Sequence, residues 1–152
     1  MSDKSLTEFF RELYEKINQH GIEKVLRKIS ELNLPSFEDY DEKVKAQIIA
    51  KTTEKFDVSF SDLQKRYVEG DENTCRRICI VLIKKHFPKL SLSEIAKLFG
   101  RTTHSFVSVE IKKFSQLQDN ISVEKREKQI FIDIDKQISQ YKETLLLMSK
   151  SD

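Results

Sequence analysis

Apolar residues recur at helical spacing along almost the whole chain, in blocks separated by short polar breaks. The first block, SLTEFFRELYEKI, puts Leu6, Phe9, Phe10, Leu13, Tyr14 and Ile17 on one stripe. Ser5 with Glu8 three residues on has the form of a capping box, and Gly21 ends or interrupts the helix. IEKVLRKISEL resumes the pattern with Ile22, Val25, Leu26, Ile29 and Leu32. A break follows at Pro35, after which the acids from Glu38 to Glu42 either open the next helix or form a linker. Val44, Ile48, Ile49 and Thr52 then continue at helical spacing to a short connection at Asp57–Val58, where Ser59 or Ser61 can cap a turn carrying Phe60 and Leu63.

QKRYVEGDEN reads as a polar loop around Gly70. Asn73 or Thr74 can cap the helix CRRICIVLIKKHF, which carries Ile78, Val81 or Leu82, and Lys85 at helical spacing and has Pro88 just past its end. Ser91 and Glu94 form a second capping box, ahead of a short helix with Leu92, Ile95, Ala96 and Phe99 as buried positions. Gly100 follows where a left-handed backbone favours glycine. Thr102 or Thr103 can cap a further helix with Val107, Ile111, Phe114 and Leu117 facing inward. A short helix, a glycine turn and a second helix with its own buried stripe make a helix-turn-helix pattern. The last block, SVEKREKQIFIDIDKQISQYKETLLLM, is a long amphipathic helix whose stripe runs Ile130, Ile134, Ile138, Tyr141, Leu145, Met148. It can dock on the domain or pair with a copy of itself; docking is the plainer expectation.

Composition sharpens this to an all-α helical bundle, since 152 residues include only 3 Gly and 2 Pro. No apolar run approaches the ~20 residues of a membrane span, and MSDKSLTEFF lacks an apolar signal core, so a cytoplasmic protein without a membrane partner is expected. The net charge of +2 is unevenly spread. Residues 1–43 hold 7 basic and 10 acidic side chains, residues 44–118 hold 14 and 8, and residues 119–152 hold 6 and 7. A polyanion is therefore expected on the middle segment. Cys75, Cys79 and His86 lack a fourth ligand at a recognisable spacing, so buried side chains are expected there and no metal. No cofactor is implied. With no Ser-His-Asp order, no paired-carboxylate pattern and no GxxxxGK[ST] loop, an enzyme is not expected.

The segments IIAKTTEKFDVSFSDLQKR and RRICIVLIKKHFPKLSLSEIAKLFGRTTHSFV, in that order, resemble the C-terminal DNA-binding domain of the bacterial replication initiator family DnaA, a helix-turn-helix domain akin to the Trp-repressor fold. The run Ser91-Leu92, Glu94-Ile95, Phe99-Gly100, His104 and Val107 carries the resemblance, which spans about residues 44–118 without the ATPase module. It implies a recognition helix over about 102–115 in the major groove, with Arg101, Thr102, Thr103, His104 and Ser105 at base edges, and Phe106 on a thymine methyl or in the core. Arg76 and Arg77 would face phosphate or a base, and Lys65, Arg66, Lys89 and Ser91 would complete the contacts. Two departures bear on the target. Thr103 and Phe106 stand where the family has Asp and Thr, and each base contact is worth roughly 1–3 kcal/mol, so the preferred bases should differ from the initiator's own box. The basic loop also continues into the acids of YVEGDEN.

The chain thus divides into an N-terminal helical extension (1–43), a DnaA-like helix-turn-helix domain (44–118) and a C-terminal amphipathic helix (119–152). Double-stranded DNA is the expected partner, in replication, plasmid, mobile-element or transcription control. A protein partner or second copy would use residues 1–34 or 121–148. The competing reading is an adaptor that keeps the fold and binds protein instead of DNA. The two are separated by whether Arg76, Arg77, Arg101 and His104 converge on one positive face or are covered by acids from the flanking helices.

Overall fold

In the computed structural model, residues 6–21 and 37–150 are described. The chain folds as two compact units, Met1–Phe37 and Glu38–Asp152. In the first, helix α1 spans Leu6–His20 and ends at Gly21, whose φ of +82° terminates the helical path. Phe10 and Tyr14 of its stripe are exposed. The capping serine and the expected helix over 22–32 lie outside the described residues.

Among its described residues the second unit has helices joined by loops and no strand: α2 (Phe37–Phe56, whose first residue belongs to the first unit), α3 (Phe60–Leu63), α4 (Gly70–His86), α5 (Leu92–Leu98), α6 (Ser105–Ser115) and α7 (Ser122–Lys150). The acids after Pro35 belong to α2, where negative charge near a helix N-terminus meets the positive end of the dipole. Asp57 ends that helix at a φ of +53°. Ser59, not Ser61, caps α3 in a reciprocal box with Asp62. Helix α4 starts before the expected Asn73 or Thr74 cap, because Asp71 and Glu72 complement the dipole in its first turn; Glu69 stands at the cap without a side-chain hydrogen bond.

Helix α4 is the axis of the core. Cys75, Ile78, Cys79, Ile80, Leu82 and Ile83 are fully buried, so residues around nearly its whole circumference are covered rather than one stripe. Helices α3, α5, α6 and α7 all pack on it. Val44 and Ile48 of α2, Leu63, Ile95, Ala96, Phe99 and Val107 complete the cluster, each large side chain contributing about 1.5–3 kcal/mol by leaving water. Thr52 is buried in the same layer and satisfies its hydroxyl on the Ile48 carbonyl at 2.7 Å. The two thiols are free and buried; the contact with Cys79, followed by burial, pushes the Cys75 thiol up. Helix α7 lies against the domain through Ile130, Ile134 and Ile138, with Phe131 against Phe114 at a centroid distance of 4.7 Å. Tyr141 and Leu145 are half-buried, and the stripe runs out at Met148, which is 65% exposed. No described helix is long and apolar enough to cross a membrane.

Candidate nucleic-acid interface

The helix-turn-helix is formed by α5, the turn at Phe99–His104 and α6. Ser91 caps α5: its hydroxyl accepts from the Glu94 amide at 3.1 Å, and the Ser91 amide donates to the Glu94 carboxylate at 3.0 Å. Phe99 closes the helix, fully buried between Phe60 and Phe106 in edge-on contacts with centroids 5.9 and 6.4 Å away. Gly100 follows at a φ of +70°, donating its amide to the Lys97 carbonyl at 3.0 Å. An L side chain is strained there, although the space itself would admit a Cβ.

Helix α6 begins later than the threonine caps predict. His104 is the N-cap residue, without a side-chain cap bond, and the first helical residue is Ser105. The Thr103 hydroxyl is engaged by the Ser105 hydroxyl at 3.4 Å instead of a backbone amide. Thr102, Thr103 and His104 are therefore an exposed connecting segment leading into the helix, not its first turn. Their side chains and that of Ser105 remain accessible to a ligand.

Residues 64–66 lie against this turn. Gln64 Nε2 donates to the Leu98 carbonyl at 3.3 Å. Arg101 Nη2 donates to the carbonyls of Arg66 and Lys65, and Arg76 Nη1 donates to the Lys65 carbonyl at 3.2 Å. Both guanidinium groups sit on the Phe106 ring, Arg76 at 5.4 Å and Arg101 at 5.5 Å from its centroid. Phe106 is thus half-buried between Phe99 and two cations. Arg76 is buried, and burial, with the nearby Arg101 adding to it, lowers its pKa while Glu110 opposes. The Lys65 and Arg66 side chains project into solvent. Lys65 pairs with Asp62 at 3.0 Å, and the hydrogen bonds from Ser59, supplemented by Lys65, hold the Asp62 carboxyl down to about 2. Arg66 lies 5.5 Å from the Tyr67 ring centroid.

Arg77 is placed differently from its neighbour. Its Nε donates to Glu110 of α6 and its Nη1 to Glu127 of α7, each at 2.8 Å, with the side chains 13%, 7% and 6% exposed. A guanidinium enclosed by two carboxylates has no charge to offer phosphate. Arg77, expected at phosphate or a base, pairs here with these two carboxylates. Lys89 and Ser91, between α4 and α5, are exposed, Ser91 serving as the cap as well.

Of the four side chains expected to converge, His104 is exposed, Arg76 and Arg101 lie against the Phe106 ring, and Arg77 is paired with Glu110 and Glu127. Three participants were not legible as such in the sequence. Gln64 anchors the basic loop, and Glu110 and Glu127 bury a charge. Glu110 lies three residues after Val107 and four before Phe114, and Glu127 lies three before Ile130. Their register with the apolar stripes was the available signal.

At the other end of α4, His86 Nε2 meets Asp135 at 2.7 Å and Nδ1 meets Lys142 at 3.3 Å, while Lys85 also pairs with Asp135. Lys142 can only donate, so Nε2 carries the imidazole proton. Burial, then Lys142 and Lys85, lower the His86 pKa against the pull of Asp135. Among the described residues no group of three or more His, Cys, Asp or Glu side chains could hold a metal ion.

No curated protein and no solved structure matches the chain. One family model does match, over residues 46–114: the bacterial dnaA protein helix-turn-helix. That span runs from α2 through α6 and ends before α7, and it corresponds to a helix-turn-helix module rather than a catalytic domain.

Proposed function

We propose that this protein binds double-stranded DNA through α5, the Gly100 turn and α6, as a helix-turn-helix module acting on replication, plasmid, mobile-element or transcriptional control DNA. The observation that carries the reading is the family match over the segment in which α5 and α6 pack at the glycine turn with Thr102–Ser105 exposed beside it. Thr102, Thr103, His104 and Ser105 offer hydroxyl and imidazole groups to base edges in the major groove. Lys65 and Arg66, held beside the turn, meet the backbone, as do Lys89 and Ser91. Arg76, Arg101 and Phe106 support this surface from behind. Thr103 in place of an acid and Phe106 in place of a threonine direct the module to bases other than the initiator's box.

Selection from random-sequence duplex tests the reading. The wild type should enrich one sequence class, and His104→Ala should weaken binding to that class by roughly ten- to a hundredfold, the range of one base contact. Equal affinity of wild type and variant for the selected and scrambled duplexes would sink it.

A second reading, an adaptor that binds protein, is favoured by one observation: Glu110 and Glu127 cancel Arg77, so an acid from the flanking helix covers part of the charge that a DNA surface would use.

A further inference from the structure

The proposed interface has two parts distant in sequence, the basic loop at 64–66 and the segment leading into α6. Arginines join them, without any acid. Arg101 bonds backbone carbonyls of the loop, Arg76 bonds one of the same carbonyls from α4, and the Phe106 ring centroid lies between 5 and 6 Å from both guanidinium carbons. No carboxylate forms an ion pair with either arginine among the described residues. Each guanidinium has its face on an aromatic ring, a terminal nitrogen on a carbonyl, and its Nε buried away from any partner. Such an arginine serves as a bracket rather than as a charge presented to solvent. Gln64 adds a further bond to the turn at Leu98.

We propose that Arg101 is a positioning residue: with Phe106 and Arg76 it fixes the Lys65–Arg66 loop against the helix-turn-helix turn, so that the backbone-contacting loop and the base-reading segment engage duplex DNA as one unit. This rests on the DNA-binding reading, and it departs from the role that a surface arginine in that turn would have as a phosphate contact. A phosphate contact acts independently of the loop. A bracket acts only through it.

The distinction can be read in a double-mutant cycle on the full chain, using a random-sequence 20-base-pair duplex and several salt concentrations. Arg101→Ala should weaken binding by roughly tenfold, since the backbone contacts of the loop are lost with it. In the Lys65→Ala/Arg66→Ala background the same substitution should cost less than about twofold, because there is no longer a loop contact to position. Phe106→Leu, which removes the ring and no charge, should reproduce most of the loss. A fully additive cycle, with Arg101→Ala alone lowering the salt slope by about 0.9 and Phe106→Leu without effect, would make Arg101 a phosphate contact and overturn the proposal. Hydrogen exchange on the free protein separates this from the reading beneath it. Arg101→Ala should speed exchange of the amides at 64–68 and leave those of α7 unchanged. If the wild type does not bind DNA but the loop amides loosen in the variant, the DNA reading fails and the bracket stands. Unchanged loop exchange overturns the bracket whether or not DNA is bound.

Discussion

Arg76 and Arg77 are consecutive residues of α4, and their guanidinium groups meet opposite surroundings. Arg77 turns toward α6 and α7 and is enclosed by Glu110 and Glu127. Arg76 turns toward the basic loop and meets a carbonyl and the face of Phe106. The same division runs along the helix. On the α7 side the polar side chains of α4 meet acids: Arg77 pairs with Glu127, Lys85 pairs with Asp135, and the His86 imidazole hydrogen-bonds the same carboxylate. On the helix-turn-helix side, Arg76 and Arg101 bond neutral acceptors and keep their charge. Ion pairs fasten the terminal helix to the domain, whereas the contacts of Arg76 and Arg101 leave those two charges uncancelled, with Lys65 beside them paired to Asp62. That asymmetry supports placing a polyanion at the loop and turn rather than along α7.

Removing Arg77 should disturb this division most. Arg77→Ala leaves Glu127 without its cation and Glu110 with only the more distant Lys113, and should lower unfolding stability by about 3 kcal/mol in urea titration. Glu127 already feels the low-dielectric surroundings: burial raises its pKa against the pull of Arg77. A loss below about 0.5 kcal/mol would mean that α7 is not held by this triad.

His86 gives the next effect. Its folded pKa is lowered below 6.5, mainly by burial, so the unfolded chain binds the proton more readily. Stability should be complete above about pH 6.5 and decline as the pH falls below it, by at most about 1.4 kcal/mol per pH unit. Asp135 acts only at lower pH: despite its own burial, the hydrogen bonds from Lys85 and His86 keep its carboxyl below the ordinary value. Thermal unfolding at pH 7 and pH 5.5 should show a drop for the wild type and a smaller one for His86→Gln. Parallel behaviour of the two proteins would remove His86 from the linkage.

A smaller effect belongs to the turn. Gly100→Ala should cost about 1 kcal/mol from backbone strain alone, since the added methyl would make only an ordinary contact with the Gln64 carbonyl at 3.9 Å. A neutral substitution would show that the turn relaxes away from its left-handed conformation.

Local features are the legible part of this protein. The Ser91–Glu94 box, the left-handed glycine, the stripe of α5 and that of α7 as far as Leu145 follow from residues within one or two turns, and the structure has them. Helix starts are harder to read where charge rather than a side-chain cap decides: the dipole draws α4 back to Gly70, and α6 waits until Ser105 because neither threonine reaches an amide. The candidate site is legible as a segment but not as a surface. Arg77 finds its carboxylates 33 and 50 residues away and Arg101 finds its carbonyls 35 and 36 residues away, contacts that no spacing rule encodes. Hence arginines that read as one outward face divide into a neutralised group, a bracket and an exposed remainder.

Binding of duplex DNA through the loop and turn is tested most sharply by the affinity of the wild-type protein as a function of salt, with Lys65→Ala/Arg66→Ala beside it. The expected result is that log K falls linearly with log salt, and that the double variant binds more weakly with a slope shallower by about 1.8, two phosphate contacts at roughly 0.9 each. No binding even at low salt, or binding whose slope is untouched by the loop variant, would contradict it and leave the helix-turn-helix as a scaffold for a protein partner.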